Sequence, residues 1–103
     1  MKENIVYMLK CSNQSYYTGW TNDFIKRMTA HQRGNASHYT HAFPPVEIVY
    51  IEVFKTKNEA LRKEVLIKQM NKIQKQEMIL QQSSFTQNYL SLHPFEFKKR
   101  DNQ

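Results

Sequence analysis

Six residues stand out in this sequence: five have side chains able to carry charge or exchange protons, and the sixth is a glycine. They are two tyrosines, a glycine, an arginine and histidine pair, and a glutamate: Tyr7, Tyr17, Gly19, Arg27, His31 and Glu64. Arg27 and His31 are four residues apart, so on a helix they lie on one side, one turn from each other. Glu64 falls within the apolar stripe of its predicted helix, where a carboxylate needs a cation, a metal or hydrogen-bond donors. These residue types therefore predict a polar site at the edge of a sheet.

A β-hairpin is predicted to bring the two tyrosines together. Residues 4–11 are mostly apolar, residues 12–15 are polar, and a second aromatic run follows them. Pairing of these runs places Tyr7 near Tyr17 and puts Gly19 on the same face. A glycine inside a strand is entropically unfavourable, and the common reasons to keep it are a bulge or the close approach of a backbone or ligand.

The next predicted elements are a helix, a loop and a third strand. Asn22 is expected to cap a helix that begins at Asp23 and ends at Gly34. Residues 35–45 contain turn formers and two prolines, which predict a loop. The run from 46 to 54 is rich in β-branched and aromatic residues, as expected for a strand covered on both faces and therefore central in the sheet.

Two helices and a tail complete the chain. Thr56-Lys57-Asn58-Glu59 fits the capping-box pattern and predicts a helix that runs to about Met70. A further short helix is predicted over residues 72–82. From residue 83 onward the aromatic residues show no clean period, and the basic cluster Lys98-Lys99-Arg100 closes the segment. The predicted fold is α+β, with a small three-stranded mixed or antiparallel sheet flanked by helices in the order ββαβα and one additional α.

Length and charge limit the classes of function. A chain of 103 residues predicts one modest core, which we assign to residues 1–82, with residues 83–103 as a C-terminal appendage that has a basic end. A net charge of +6 favours polyanionic partners such as nucleic acid. No apolar run approaches the roughly 20 residues of a spanning helix, and a cytoplasmic location is expected. Cys11 is the only cysteine, which excludes an intrachain disulfide and CxxC-type zinc sites.

The joint pattern resembles the GIY-YIG nuclease domain. The resemblance covers roughly residues 3 to 80 and is closest to small single-domain bacterial members and to the nuclease subunit of structure-specific resolvases. It is carried by five segments: Ile5-Val6-Tyr7, Tyr17-Thr18-Gly19, Thr21-Asn22-Asp23-Phe24, Arg27 with His31, and Ala60-Leu61-Arg62-Lys63-Glu64. The segment Tyr17-Thr18-Gly19 stands where the family has its YIG element.

The resemblance implies cleavage of DNA phosphodiester bonds with a single divalent metal, Mg²⁺ or Mn²⁺. By match, Glu64 would hold the metal and Arg27 would bind the scissile phosphate. Tyr7 would help to deprotonate the attacking water, while His31 and Tyr17 would relay a proton or position the reacting groups. The general base stays open among Tyr7, Tyr17 and His31. Residues expected to contact nucleic acid are Gly19, Asn22, Lys26, His38 and Tyr39.

Three segments depart from the family pattern. Ile5-Val6 stands where the family name has Gly-Ile, and this leaves Tyr7 in place. Asn13-Gln14 stands in the hairpin turn where close relatives tend to have Asp-Gly. The loop before the third strand, usually basic in relatives, contains mostly uncharged residues between His38 and Pro44.

Other functions stay open at this point. The same fold could serve as a slow or inactive nucleic-acid-binding module that assists repair, or the Gln-rich helix and aromatic tail could form a protein interface. The expected partner is DNA, single-stranded or branched, with no membrane association. The oligomeric state is not predicted.

Overall fold

The computed structural model describes residues 2–100, so residues 101–103 of the predicted appendage lie outside the described part of the chain. Three strands form one antiparallel sheet: β1 (Asn4–Cys11), β2 (Tyr16–Thr21) and β3 (Pro45–Phe54). Their spatial order is β2-β1-β3. The predicted α+β class with a three-stranded sheet is confirmed.

The central strand is β1, so the prediction that the third strand is central was wrong. Helices cover both faces of the sheet, and β3 is therefore apolar on both faces even though it lies at an edge. An apolar run reports burial of the two faces of a strand, but it does not report how many strands flank it. The burial pattern separates the strands better, because β1 is buried continuously from Ile5 to Leu9.

The sheet separates two apolar clusters. Ile5, Tyr7 and Leu9 point to the face that is covered by α1 (Phe24–Arg33) and α5 (Ser83–Leu92). Val6 and Met8 point to the opposite face, which is covered by α3 (Lys57–Lys68) and α4 (Lys72–Gln81). The alternation along β1 follows from the two-residue period of a strand. Tyr7, the catalytic candidate on β1, is thus assigned to the face covered by α1 by its position in the strand.

Helix α1 begins one residue later than predicted. The Asp23 side chain, rather than that of Asn22, accepts the hydrogen bond from Lys26 N. Gly34 ends the helix in the left-handed region at φ 81°, which confirms the predicted C-terminal stop. The capping box at Thr56 is also confirmed, and α3 ends at Lys68 rather than near Met70.

A short helix lies in the segment that was predicted to be a loop. Helix α2 (His38–Ala42) begins at Ser37, whose side chain accepts a hydrogen bond from Thr40 N. The two prolines that follow end the helix but do not prevent it from forming, because each lies beyond Ala42. This helix places Thr40, which is fully buried, against α1.

The C-terminal segment packs on the sheet. Helix α5 contributes Tyr89 to the apolar cluster of α1, and its Thr86 hydroxyl accepts a hydrogen bond of 3.0 Å from Ile51 N on β3. The Tyr89 hydroxyl donates to Glu3, which precedes β1, at 3.0 Å. The predicted domain boundary at residue 82 stays a prediction, and because α5 packs on the sheet it can be tested by truncation.

Among residues 2–100, no helix is long and apolar enough to cross a membrane.

Candidate active site

The close packing at Gly19 involves the ring of Tyr7. The two residues are direct partners in the β1–β2 register. A Cβ atom added at Gly19 would lie 2.5 Å from the Tyr7 Oη and 2.7 Å from its Cζ. The sequence left open a bulge or the approach of a backbone or ligand, and the structure shows that a neighbouring side chain fills this space. Glycine is required here because the phenol crosses over the backbone of β2.

His31 joins the first tyrosine to a hydroxyl on α2. Its Nε2 lies 2.8 Å from the Tyr7 Oη, and its Nδ1 lies 2.9 Å from the Thr40 Oγ1. The edge of its ring also contacts the Tyr17 ring at a centroid distance of 5.4 Å. The side chain is fully buried. Burial, with a smaller contribution from the Arg27 charge, lowers the pKa of His31 to about 4, so the imidazole is neutral at pH 7.

The hydrogen-bonded chain continues to residues that the sequence analysis missed. The Thr40 Oγ1 lies 2.8 Å from the Ser37 Oγ, which is half-buried. Together these groups form an unbroken series of hydrogen bonds: Tyr7, His31, Thr40 and Ser37. A signal was present in Ser37-His38-Tyr39-Thr40, because a serine three residues before a threonine can cap a helix and orient its hydroxyl.

Arg27 lies at the exposed side of this cluster. Its Nη1 donates to the Trp20 carbonyl oxygen at 3.3 Å. Burial raises the pKa of the Tyr7 phenol well above its usual range, and the nearby Arg27 charge opposes that change without cancelling it. Tyr7 is therefore a neutral hydroxyl at pH 7. Tyr17, by contrast, is partly exposed, so it is the phenol through which the cluster meets solvent.

Glu64 is on the opposite side of the sheet from the phenols. It shares one face of α3 with Ala60 and Ile67, which pack in the cluster that contains Met8. Its side chain is 14% exposed and lies 3.3 Å from Lys68 Nζ. Its charge still reaches the Tyr7 phenol, whose pKa it raises slightly. Tyr7, Tyr17, Arg27 and His31 thus form one cluster, and Glu64 lies on the other face of the sheet, within reach of an electrostatic effect on Tyr7.

The residues near Glu64 are compatible with a single Mg²⁺ ion. Mg²⁺ commonly binds one or two carboxylates together with phosphate oxygens and water. Within residues 2–100 no group of three or more His, Cys, Asp or Glu side chains could hold a metal. The Thr18 Oγ1 is buried on the α3 face, as the cross-strand partner of Met8, and has no hydrogen-bond partner among the described residues. The Glu64 carboxylate and one unpaired oxygen therefore lie on this face, together with Glu52, which is paired with Lys63 of α3.

The residues expected to contact nucleic acid fall into two groups. Gly19 is buried under Tyr7, whereas Asn22 and Lys26 are exposed and line a shallow cavity of about 210 Å³ with Arg27. His38 and Tyr39 are exposed on α2. These placements leave four of the five side chains accessible to a ligand.

Two exposed aromatic rings, those of Tyr39 and Phe43, lie beside Tyr17. The Tyr39 ring stacks on Tyr17 at a centroid distance of 6.2 Å and contacts Phe43 at 5.2 Å. The Tyr39 hydroxyl accepts a hydrogen bond of 2.9 Å from Asn13 and also contacts the Ser15 hydroxyl. Helix α2 is thereby attached to the hairpin turn.

Lysines accompany the aromatic residues of β2 that face α3. Lys57 Nζ lies 5.3 Å from the centre of the Trp20 ring, and Lys72 Nζ lies 5.8 Å from that of Tyr16. Both separations are within the range of cation–π contacts. Positive charge therefore flanks the edge strand at both of its ends.

We expect His31 to make folding pH-dependent. Because its pKa falls from 6.5 to about 4 on folding, the unfolded chain binds more protons between these two pH values. The stabilisation is complete above pH 6.5 and is lost as the pH falls toward 4, by up to about 3 kcal/mol. Urea unfolding at pH 7.5 and 4.5 measures this loss.

His31→Gln provides the control for this prediction, because the variant keeps a polar side chain but does not titrate. Carboxylates contribute equally to both proteins, so the difference between the two pH profiles isolates the imidazole. Parallel profiles would contradict a neutral, buried His31.

Comparisons with known proteins identify the family of this chain. Residues 3–77 match the GIY-YIG catalytic domain family. The UPF0213 protein CPE1444 of Clostridium perfringens is 44% identical over 86 residues, which cover 84% of this chain and 92% of that protein. The UPF0213 protein VNG_2274C of Halobacterium salinarum is 41% identical, over 69% of this chain and 92% of that one. The solution NMR structure of the UPF0213 protein BH0048 from Bacillus halodurans superposes with a TM-score of 0.51 at 32% identity, covering 75% of this chain and 82% of that chain.

Proposed function

Since this chain belongs to the GIY-YIG nuclease domain family, we propose that it is a metal-dependent endonuclease that cleaves DNA phosphodiester bonds. The observation that carries the proposal is the hydrogen-bonded series that begins at Tyr7, passes through His31 and reaches the protein surface near Ser37. Such a series moves a proton away from a buried phenol. A structural tyrosine would need one hydrogen-bond partner for its buried hydroxyl, but not a series that continues through Thr40 to Ser37.

The direction of proton transfer depends on the tautomer of the neutral His31, and we assign the proton to Nδ1. A neutral imidazole donates through one nitrogen and accepts through the other. With Tyr7 donating to Nε2, the Nδ1 proton is donated to Thr40, whose own hydroxyl donates to Ser37. When Tyr7 takes a proton from the attacking water, it passes its own proton to Nε2. The Nδ1 proton moves to Thr40, the Thr40 proton moves to Ser37, and Ser37 releases a proton to solvent.

This relay accounts for a general base whose pKa is raised. A free phenolate at position 7 would be rare at pH 7, since burial strongly favours the neutral phenol. In a concerted transfer Tyr7 is never left as a free phenolate and His31 is never left as a cation. The buried site therefore avoids both charges that its environment disfavours.

Arg27 is proposed to bind the scissile phosphate. Its planar guanidinium is suited to phosphate oxygens and stabilises the charge that develops during cleavage. In binding phosphate it would leave the Trp20 carbonyl and uncover the Tyr7 hydroxyl. Tyr17, which is partly exposed beside them, would position the phosphate or the attacking water. Lys26, on the same exposed surface as Arg27, would contact a neighbouring phosphate.

Glu64 is proposed to hold the single metal ion, Mg²⁺ or Mn²⁺. When bound, the ion would neutralise charge on the phosphate oxygens. Glu64 would exchange its ion pair with Lys68 for the metal, and the freed ammonium would then be available to the DNA backbone. The proposed substrate is DNA, single-stranded or branched, and a role in repair belongs to the same proposal.

Replacement of the proposed metal ligand tests the nuclease function. We expect Glu64→Gln to lower cleavage of a labelled panel of single-stranded, duplex, flap and branched DNA at least about 100-fold, as for loss of a group that stabilises transition-state charge. EDTA should abolish the activity of the wild-type protein. The matched control is Glu77→Gln, which removes the same charge from an exposed position on α4. Undiminished cleavage by Glu64→Gln would rule out this metal site.

A second candidate function is a nucleic-acid-binding module with little or no turnover. The observation that favours it is the position of Glu64, which is paired with Lys68 and lies across the sheet from the phenols. Binding would then fall with salt, with a log-log slope of about −0.9 per phosphate contact on duplex DNA, and would survive Glu64→Gln. A gel shift without cleavage by either protein would favour this module over the enzyme.

A further inference from the structure

The C-terminal strap, residues 93–100, reaches back to the helix that carries Thr40. Phe95 and Phe97 pack against the apolar cluster of α1 and α5. The Lys98 backbone then forms two hydrogen bonds of 2.8 Å with the side-chain amide of Gln32, the residue that follows His31. The strap is thus fixed beside the proposed relay, and it lies beyond residues 3–77, which match the family.

Arg100, the last described residue of the strap, contacts α2. Its Nη2 donates to the carbonyl oxygens of Thr40 and His41, at 2.8 and 3.1 Å. These carbonyls belong to the last turn of the helix, where a cation is favourable and where intrahelical donors are lacking. The guanidinium lies close against Gly34, where an added Cβ would meet it. Arg100 therefore holds the backbone of the residue whose hydroxyl contacts His31.

We propose that Arg100 is a positioning residue, which fixes α2 so that the Thr40 hydroxyl accepts the Nδ1 proton of His31. Helix α2 has only five residues, and a helix of this length is not stable without tertiary contacts. Ser37 holds its N-terminal end, and Arg100 holds its C-terminal end. Without Arg100 the helix keeps its contacts through Ser37 and Tyr39 but loses those at its C-terminal end, so Thr40 is held less firmly against His31.

The His31 ring gives a direct measurement. In the wild-type protein at pH 7.5, long-range ¹H–¹⁵N NMR spectra should show one neutral tautomer with the proton on Nδ1. In Arg100→Met, which keeps an apolar stem but loses every donor, we expect the His31 signals to shift toward a mixture of tautomers. Arg100→Lys retains a cation and should restore part of the wild-type spectrum. Thr40→Val gives the reference for complete loss of the Nδ1 contact, and His31→Gln assigns the signals.

Lys99→Met is the matched control, because it removes one positive charge from an adjacent exposed position. Its spectrum should equal that of the wild type. A wild-type His31 spectrum in Arg100→Met would overturn the proposal, and Arg100 would then only attach the strap to α2. If Arg100→Met does not fold, the comparison of Arg100→Lys with Lys99→Met decides, since only the former should alter the tautomer.

The effect on cleavage rests on the proposed function, whereas the tautomer does not. In a nuclease assay Arg100→Met should lose about ten- to a hundredfold in kcat with little change in KM, as for misplacement of a catalytic group. If the wild-type protein cleaves nothing, the proposed function fails, but the NMR spectrum still tests the positioning role. If cleavage is metal-dependent and Arg100→Met retains full kcat, the positioning role fails and the proposed function stands.

Discussion

Gly19→Ala should destabilise the protein by about 2 to 3 kcal/mol and lower cleavage about 100-fold. The new methyl group would lie 2.5 Å from the Tyr7 Oη, which is shorter than any tolerated contact. Tyr7 is fully buried and hydrogen-bonded to His31, so its ring has no free volume into which it can move. Overpacking in a core costs about 1 to 3 kcal/mol, and displacement of a catalytic group by about 1 Å can cost about 100-fold in rate. Urea unfolding and the DNA cleavage assay measure the two effects.

A double-mutant cycle shows whether the phenol is the cause. Tyr7→Leu removes the ring that lies over Gly19, so that Gly19→Ala should cost less than about 0.5 kcal/mol in that background. The coupling energy of the cycle would then equal most of the penalty of the single substitution. Additive effects of the two changes would show that the glycine is needed for another reason.

Truncation after Gln82 should abolish cooperative folding. The shortened chain lacks Tyr89 and Thr86, together with the aromatic tail that packs on the α1 cluster. Loss of a large buried aromatic side chain alone costs about 3 to 5 kcal/mol, against a total stability of about 5 to 15 kcal/mol for a domain. Thermal unfolding followed by circular dichroism should therefore show no sigmoidal transition. The domain boundary predicted from sequence implies the opposite result.

A chain ending at Leu92 is the control for this experiment. It keeps α5 on β3 and loses only the strap, so we expect cooperative unfolding at a lower Tm than that of the full chain. A cooperative transition of residues 1–82 at the wild-type Tm would establish that the domain ends where the sequence analysis placed its boundary.

The sequence predicted the parts of the site that depend on local periodicity. The face shared by Tyr7, Tyr17 and Gly19 follows from the alternation of a strand, and the proximity of Arg27 to His31 follows from the helical repeat. The capping pattern at Thr56 and the glycine stop at Gly34 are confirmed for the same reason, because each is a contact between near neighbours in the chain.

Features that depend on distant contacts could not be predicted. Thr40 contacts His31 only because α2 folds against α1, and the segment reads as a loop when its two prolines are considered alone. The order of the strands and the packing of α5 on β3 are likewise set by tertiary contacts, such as that between Ile51 and Thr86. Glu64 was assigned to an apolar stripe correctly, but the stripe faces the other side of the sheet from Tyr7.

The lysines that lie over Trp20 and Tyr16 also bear on aggregation. Strand β2 is at the edge of the sheet, where unpaired backbone groups can recruit a strand from another molecule. Positive charge at both ends of such a strand makes pairing with a second copy unfavourable, because the lysines of two copies would be brought together. The same charge does not repel a polyanion. The edge can thus stay open to nucleic acid while it resists self-association through β-pairing.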